Sequence, residues 1–434
     1  MRTSRLTALA GIAAAGALVL TGCSTASPAA EQSVAAAGDL STCKPSDNTI
    51  NVTFGTQAAE AMKIAAAKVE EEYPGLTINA TPQSTSSYDD LTQKVVGDIA
   101  VGKRPDLIMT GLGQLRFWVD SYHPATIDES ALPSTYQKQF LAAGTVDGET
   151  YLAPAQISTP VLLVNQDALD AAGAGNGDDI HTFDDLVTAA KKVTADTGSP
   201  SVSIPTQGLP DWFSQAFVQG AGDTFVADDG TAGFGTDQGA KDLSIWSDLA
   251  KDKLEAGVGD QDAMANFTSG KTAFLVYTTS TISTIQQGIG GAFAWKAVDL
   301  PTVNGGDGAL PAGGNGWVVL SDDSCRAGYA NALVGALLSK DAVLAASGTS
   351  YSYIPVDKAA AKELLSGDDV SEQQRYAWSY DKPLTQWGGF PGKSTKQVND
   401  TLRQMAQGLQ SGADTTSTVE TSATAIDSIV RAAQ

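Results

Sequence analysis

The sequence predicts an α/β fold, and two observations carry that reading. From Asn48 onward, strand-like runs alternate with amphipathic helical runs in the order strand, helix, strand, helix, strand, which is the pattern of a parallel sheet covered by helices on both faces. With 434 residues, 42% of them hydrophobic, the chain is also long enough for two domains, each with its own core. Ligands of open α/β sheets bind beyond the carboxyl ends of the strands. Those ends fall near residues 55–57, 83–88 and 110–114, which are therefore expected to line a cleft.

Taken in order, the elements begin with an export signal. The amino end, "MRTSRLTALAGIAAAGALVLTGCSTAS", has two arginines, a mostly apolar run over residues 6–20 and then small residues. Such a run is a secretory signal, too short and too alanine-rich to be a membrane span. Leu20, Thr21, Gly22 and Cys23 resemble a bacterial lipobox, in which residues 1–22 are cut away as a signal peptide and the new amino-terminal Cys23 carries lipid; a plain exported protein with a chance cysteine is the alternative. Acyl chains contribute roughly 0.8 kcal/mol per buried CH₂, so an anchor of this kind needs no spanning helix. Residues 23–46 are rich in Ser, Ala and Pro without an amphipathic period and read as a flexible tether.

The folded part follows. "TINVTFG" and "LTINATPQ" read as strands on either side of the amphipathic helix "AAEAMKIAAAKVEEEYPG", which Pro74 and Gly75 stop. The helix "YDDLTQKVVGDIAVGKRP" leads to a third strand, "DLIMTG". "GETYLAPAQISTPVLLVNQDALDAAG" then holds a strand, a proline-broken crossing, a second strand and a helix. Helices dominate from "HTFDDLVTAAKKVTADTG" to residue 266, a strand covers residues 317–320 ahead of the helix "AGYANALVGALLS", and the tail is helical around the loop "KPLTQWGGFPGKST".

Composition excludes several functions. A net charge of −22 repels phosphate polyanions, so nucleic acid is not an expected partner. The two histidines, His123 and His181, lie far apart and without cysteine neighbours, and no zinc or other metal site is expected. Gly270, Lys271 and Thr272 end like a phosphate-binding loop, but Ala265 stands where its first glycine is required, and the strand follows the turn instead of preceding it. Three cysteines leave Cys43 and Cys325 after lipidation. In an oxidising compartment these can pair; the alternative is two separate buried thiols, and pairing is favoured because Cys43 lies in a loose segment and Cys325 in a polar turn.

Five segments in order, "DGETYLAPAQISTPVLLVNQDALDAAG", "HTFDDLVTAAKKV", "FTSGKTAFLVY", "LPAGGNGWVVL" and "SYSYIPVDKAA", resemble the extracellular solute-binding proteins (family 1) of carbohydrate-type ABC importers over nearly all of the mature chain. "ISTPVLLVNQDALDAAG" and "KPLTQWGGFPGKSTKQVNDTLRQM" are most similar to the glycerol-3-phosphate-binding branch. The resemblance implies two α/β lobes of the periplasmic-binding-protein type with a ligand cleft at the hinge. Lobe 1 would comprise residues 47–154 and 299–347, lobe 2 residues 155–298 and 348–434. It also implies a monomer that presents its solute to a membrane permease, with no cofactor.

Carried over residue by residue, Tyr88 matches a ligand-contacting tyrosine, Ser158 lies at or next to a ligand serine, and Thr279 falls in a hydroxyl cluster at the cleft. Gly314 matches a glycine whose N–H faces the ligand, and Tyr353 the aromatic of "SYSYIPV". Two positions depart from the branch: residues 110–114 hold no acidic residue, and residues 388–398 hold no arginine for a phosphate. Lys393 replaces that arginine only in part, because a point charge cannot form a bidentate fork. A sugar, polyol or glycerophosphate-type solute needs hydrogen-bonding side chains for its hydroxyls and a flat aromatic surface for its C–H faces. Trp212 and Trp387 are the candidate platforms, with packing inside a lobe as the alternative for each; Trp246 and Trp317 read as core.

The competing function is an exported glycoside hydrolase using paired carboxylates, for which Asp89-Asp90 and Asp184-Asp185 are the candidates. Both pairs stand at predicted helix amino termini, where aspartates cap the helix and favour its dipole. A binding protein without catalytic residues is therefore the expected class.

Overall fold

The computed structural model describes residues 33–84, 87–348 and 350–433; the signal peptide and Cys23 lie outside them. Two sheets organise the chain. The first has six strands in the order Ile354–Pro355, Ala153–Ser158, Gly313–Val319, Leu107–Gly111, Thr49–Gly55, Thr77–Gln83. The second has four, in the order Trp295–Val298, Pro160–Asn165, Phe274–Thr278, Val202–Ser203. Each has its own buried core, around Phe54, Met109, Trp118 and Trp317 for the first and around Phe183, Phe217, Trp246 and Phe274 for the second. These are the two lobes.

The opening of the chain folds as its pattern predicts. Thr49–Gly55 pairs in parallel with Thr77–Gln83 and with Leu107–Gly111, and the intervening helices run over Ala59–Glu72 and Tyr88–Ala100. The sheets as wholes are mixed, not parallel. Gly313–Val319 returns antiparallel between Leu107–Gly111 and Ala153–Ser158, and Pro160–Asn165 is antiparallel to both of its neighbours. A chain that passes between lobes several times re-enters each sheet from the far side, which reverses its direction.

The same pairings correct the expected lobe limits, each of which lies later in the chain. Ala153–Ser158 belongs wholly to the first sheet, so the first crossing is at Thr159 and not at residue 154. Leu300 packs in the second core and Phe183 donates its N–H to Thr302, so the return begins near Leu310 and not at residue 299. Ile354–Pro355 pairs with Gln156 and Ile157, and Val356 and Ala360 join the first core, so lobe 1 extends well beyond residue 347. Prolines and glycines mark the crossings, but strand hydrogen bonds decide where they fall.

The tether also differs from its expectation. Residues from Ala35 onward are docked on lobe 1: Ala35 and Gly38 donate their N–H groups to Ser321 and Ser324 carbonyls, each at 2.8 Å. Leu40 lies against Gly328, where a Cβ would come within 2.7 Å of it. A disulfide joins Cys43 to Cys325 at the start of helix Ser324–Leu337, with Cα atoms 5.7 Å apart. Next to it a buried carboxylate unites three segments. Asp106 accepts from Asn51 N–H (2.9 Å), Ser321 Oγ (2.6 Å) and Arg326 Nε (2.8 Å), so its buried charge is both paired and hydrogen-bonded.

A cross-link that closes a long loop stabilises by roughly 2–4 kcal/mol. Reduction, or replacement of both Cys43 and Cys325 by Ala, is therefore expected to lower the melting temperature by several degrees while the circular dichroism at room temperature stays the same. An unchanged melting curve would mean that the strap adds nothing to stability.

Candidate functional site

Where the strands of both lobes end, a cavity of about 740 Å³ opens between them. Lobe 1 contributes Gln57, the helix start Ser87-Tyr88-Asp89 and Gln114, which are three of the strand ends expected from the sequence. Lobe 2 contributes the loop around Asp211, the start of helix Asp260–Thr268, and Asn399 and Arg403 of helix Thr395–Gln410. Tyr351, Tyr353 and Trp387 also line it, as do Leu91 and Tyr277.

Each wall is fixed by local chemistry. Ser87 caps helix Tyr88–Ala100 by accepting from Asp90 N–H, which aims the first turn of that helix at the cavity. Asn315 Nδ2 donates to Tyr88 Oη at 3.0 Å and to Gln156 Oε1 at 2.8 Å. Burial pushes the Tyr88 phenol up from its ordinary pKa, so it stays a neutral hydroxyl. Tyr353 is buried, and Tyr351 stacks on it with ring centroids 5.6 Å apart and stands 38% exposed at the mouth. Those two rings form a two-layer aromatic step.

Trp387 occupies the opposite side. Its Nε1–H donates to Asp211 Oδ2 at 2.9 Å, and its ring lies 5.7 Å from that of Trp212. Gln215 clamps the loop from both sides, accepting from Gly388 N–H and donating to the Gln386 carbonyl. Gly388 and Gly389 have φ of +77° and +99°, which side chains rarely tolerate, so the loop can turn here only on glycine.

The cavity is rich in carboxylates. Gln114 Nε2 donates to Asp89 Oδ1 at 2.6 Å, and Gly208 N–H donates to Asp260 Oδ2 at 2.9 Å. Burial pushes both carboxyls up, against the opposing pull of Lys396 and Arg403 on Asp89 and of the Gly208 N–H on Asp260. Asp211 is the most buried of them; burial raises it to about 6, although the Trp387 N–H favours its charged form. Arg403 gives Nη1 to Asp400 at 2.8 Å, while its Nε is buried without a hydrogen-bond partner. An acceptor-rich wall with one guanidinium can accept hydrogen bonds from the hydroxyls of a solute and offer a charged donor among them.

Of the residues singled out from sequence, Tyr88, Tyr353 and Trp387 line this cavity. The other four do not. Trp212 is 1% exposed, lies behind Trp387 and gives its N–H to the Pro311 carbonyl, so it backs the platform instead of forming it. Thr279 and Thr159 join two chain segments: each N–H is met by the other residue, Thr159 N–H by the Thr279 hydroxyl and Thr279 N–H by the Thr159 carbonyl, both at 3.0 Å. Ser158 is buried at the end of its strand, and Gly314, with φ +100°, sits where a Cβ would lie 1.9 Å from the Gln156 carbonyl oxygen. These three build the hinge. Asp211, Asp260 and Arg403 line the cavity without a signal in the sequence that marks them. Asp211 in "LPDWF" looks like an ordinary helix-start aspartate, and Arg403 stands five residues beyond the segment searched for an arginine.

The hydrolase candidates separate as well. Asp185 serves a capping box with Thr182 at the start of helix Phe183–Thr197 and is not a cavity residue. The "GKT" turn follows helix Asp260–Thr268 and precedes strand Phe274–Thr278, with Lys271 exposed. No helix among the described residues is long and apolar enough to cross a membrane.

The Asp211 value yields a prediction. Its pKa is raised on folding, so the stability it contributes is present below about pH 4 and is lost as pH rises through about 6. Asp211→Asn is expected to remove that loss, on the order of 3 kcal/mol, and to abolish a change in Trp387 emission centred near pH 6. Parallel denaturation and fluorescence titrations from pH 4 to 8 check this; superimposable curves for parent and variant would contradict it.

Comparison with known proteins gives the family. Residues 65–376 match the model of the bacterial extracellular solute-binding proteins. An arabinooligosaccharide-binding protein of Halalkalibacterium halodurans is 26% identical over 211 residues, which span 45% of this chain and 44% of that relative. Among solved structures, the cyclic alpha-maltosyl-1,6-maltose binding protein of Arthrobacter globiformis is similar with a TM-score of 0.74 at 18% identity, covering 88% of this chain and 99% of that one. The GacH receptor of Streptomyces glaucescens, solved unliganded and with acarbose, scores 0.72 at 17% identity over 89% and 99%. UgpB of Mycobacterium tuberculosis, solved with glycerophosphocholine, scores 0.71 at 16% over 88% and 99%. At these identities the structural likeness is one of fold, and it is the two-lobe fold described above. The chain belongs to the bacterial extracellular solute-binding proteins, a family of binding proteins and not of enzymes.

Proposed function

We propose that this protein is the substrate-binding component of an ABC importer, that it captures an uncharged sugar or polyol between its lobes, and that it delivers this solute to a membrane permease. The observation that carries the reading is the cavity lining. The Tyr351–Tyr353 step and the Trp387 ring offer flat faces from two sides, and Asp89, Asp211 and Asp260 with neighbouring Gln side chains offer acceptors and donors between them. Apolar C–H faces and a dense set of hydroxyls are what such a lining complements. The arabinooligosaccharide-binding relative supports the same class. We place the protein outside the cytoplasm as a monomer, anchored through lipid on Cys23 to the outer face of the membrane; mass spectrometry of the amino-terminal peptide from membranes tests the anchor.

A glycerophosphodiester is the second reading. Arg403 supports it, because its buried Nε lacks an acceptor, and so does the shared fold with UgpB. A phosphomonoester is disfavoured, since its two negative charges would face Asp89, Asp211, Asp260 and Asp262 with Arg403 as the lining cation.

Calorimetry against neutral oligosaccharides, polyols, glycerophosphodiesters and glycerol 3-phosphate separates these readings. The expected order places a neutral oligosaccharide first and the monoester last, and the bound solute is recovered unchanged. Tight binding of glycerol 3-phosphate alone would overturn the sugar reading. Trp387→Ala is expected to cost roughly 1–3 kcal/mol of affinity with the unliganded fold intact. Trp212→Ala is expected instead to cost roughly 3–5 kcal/mol of stability, as a buried Trp does; the reverse assignment in melting and binding curves would exchange the roles of the two rings.

A further inference from the structure

Away from the cavity and the crossings, a hydrogen bond joins a helix of lobe 1 to a loop of lobe 2. Helix Leu115–Tyr122 of lobe 1 carries Arg116 and Asp120 one turn apart, and Arg116 Nε donates to Asp120 Oδ2 at 2.8 Å. The same oxygen accepts the backbone N–H of Gly392 at 2.5 Å. Gly392 is part of lobe 2. A Cβ there would lie 3.1 Å from Ala433 at the end of helix Thr415–Ala433, and that helix supplies Val419, Ile426 and Val430 to the second core. Phe390, two residues earlier, lies in the same core against Phe225. Neither Asp120 nor Gly392 lines the cavity.

The surroundings suit a contact that forms on closure. The side chains of Arg116 and Asp120 are each 19% exposed, so the charge on the acceptor is only partly screened by water. Arg116 also faces Asp147 at 3.6 Å, and it positions Asp120 without leaving the site strongly charged. Gly392 has φ +96°, a backbone state that other residues rarely adopt. A few residues away, the Trp387 indole rests on the backbone of Gly113 in lobe 1, so the lobes meet along one continuous edge.

We propose that Asp120 is an affinity-determining residue that acts at a distance from the solute, as a latch whose carboxylate holds Gly392 N–H and thereby sets the fraction of unliganded protein that is closed. A solute gripped by both lobes binds the closed form, and its apparent affinity scales with the population of that form. A charge-assisted hydrogen bond made only in the closed form raises this population. The inference rests on the two-lobe fold and does not depend on which solute the cleft takes.

Small-angle X-ray scattering of the unliganded full chain tests it. Asp120→Ala is expected to open the protein, giving a larger radius of gyration than the parent and roughly a tenfold loss of closed population. Asp120→Asn retains an acceptor oxygen without the charge and is expected to fall between the two. A melting curve close to that of the parent separates opening from unfolding, and if Asp120→Ala fails to fold, Asp120→Asn carries the comparison alone. Scattering identical to the parent's in the folded variants would overturn the latch and leave Asp120 as a loop anchor that moves with lobe 1.

Discussion

The indole of Trp387 sits where it does because Gly113 has no side chain. A Cβ on Gly113 would come within 2.8 Å of the ring, well inside van der Waals contact. With the glycine in place, a loop from the tail of the chain lies directly on the backbone at the end of a lobe 1 strand. The rest of the wall depends on that approach. Trp212 fills the space behind the ring, Asp211 fixes the ring's rotation through Nε1, and Gln215 fixes the loop that carries it. The same device recurs two residues earlier on the same strand end, where Gly111 leaves room for the Tyr88 ring and a Cβ would come within 2.6 Å of it. Both rings are thus seated on backbone and have no room to move further into lobe 1.

Burial does the electrostatic work in this cleft. Asp211 gains a proton more readily than an exposed aspartate because its carboxylate has left water and receives only the Trp387 indole N–H and its own backbone N–H in return. Asp106, equally buried, receives four donor groups, one of them from a guanidinium. The contrast separates a carboxylate that fastens a lobe from one that retains hydrogen-bonding capacity for a guest.

Much of this organisation is legible in the sequence, and the reasons it stops are specific. The alternation from Asn48 to Gly111 reads directly as strands and helices because one face of each is buried and the other is not. Which end of those strands faces the cleft follows from the parallel order. Local sequence does not separate Trp212 from Trp387, since each follows a polar residue in a loop-like segment and only the packing of distant segments decides which one is covered. Ser158, Thr279 and Gly314 lie near the cleft in the chain and yet serve the crossings, because a residue at the mouth of a strand may turn either way with a shift of one position. Arg403 was hidden by distance: on a helix, the residue that reaches a site stands turns away from the loop that announces it.

The docked strap has a mechanical meaning. It meets lobe 1 at Ser321 and Ser324, beyond the carboxyl end of strand Gly313–Val319, whereas the amino end of that strand enters from the hinge. Tension on the strap is taken up by the Cys43–Cys325 bond and passed into helix Ser324–Leu337, a rigid rod packed across lobe 1. Because the load path ends inside one lobe, a pull at this end exerts no leverage on the crossings. A load at this end of the protein is thus borne by lobe 1 alone.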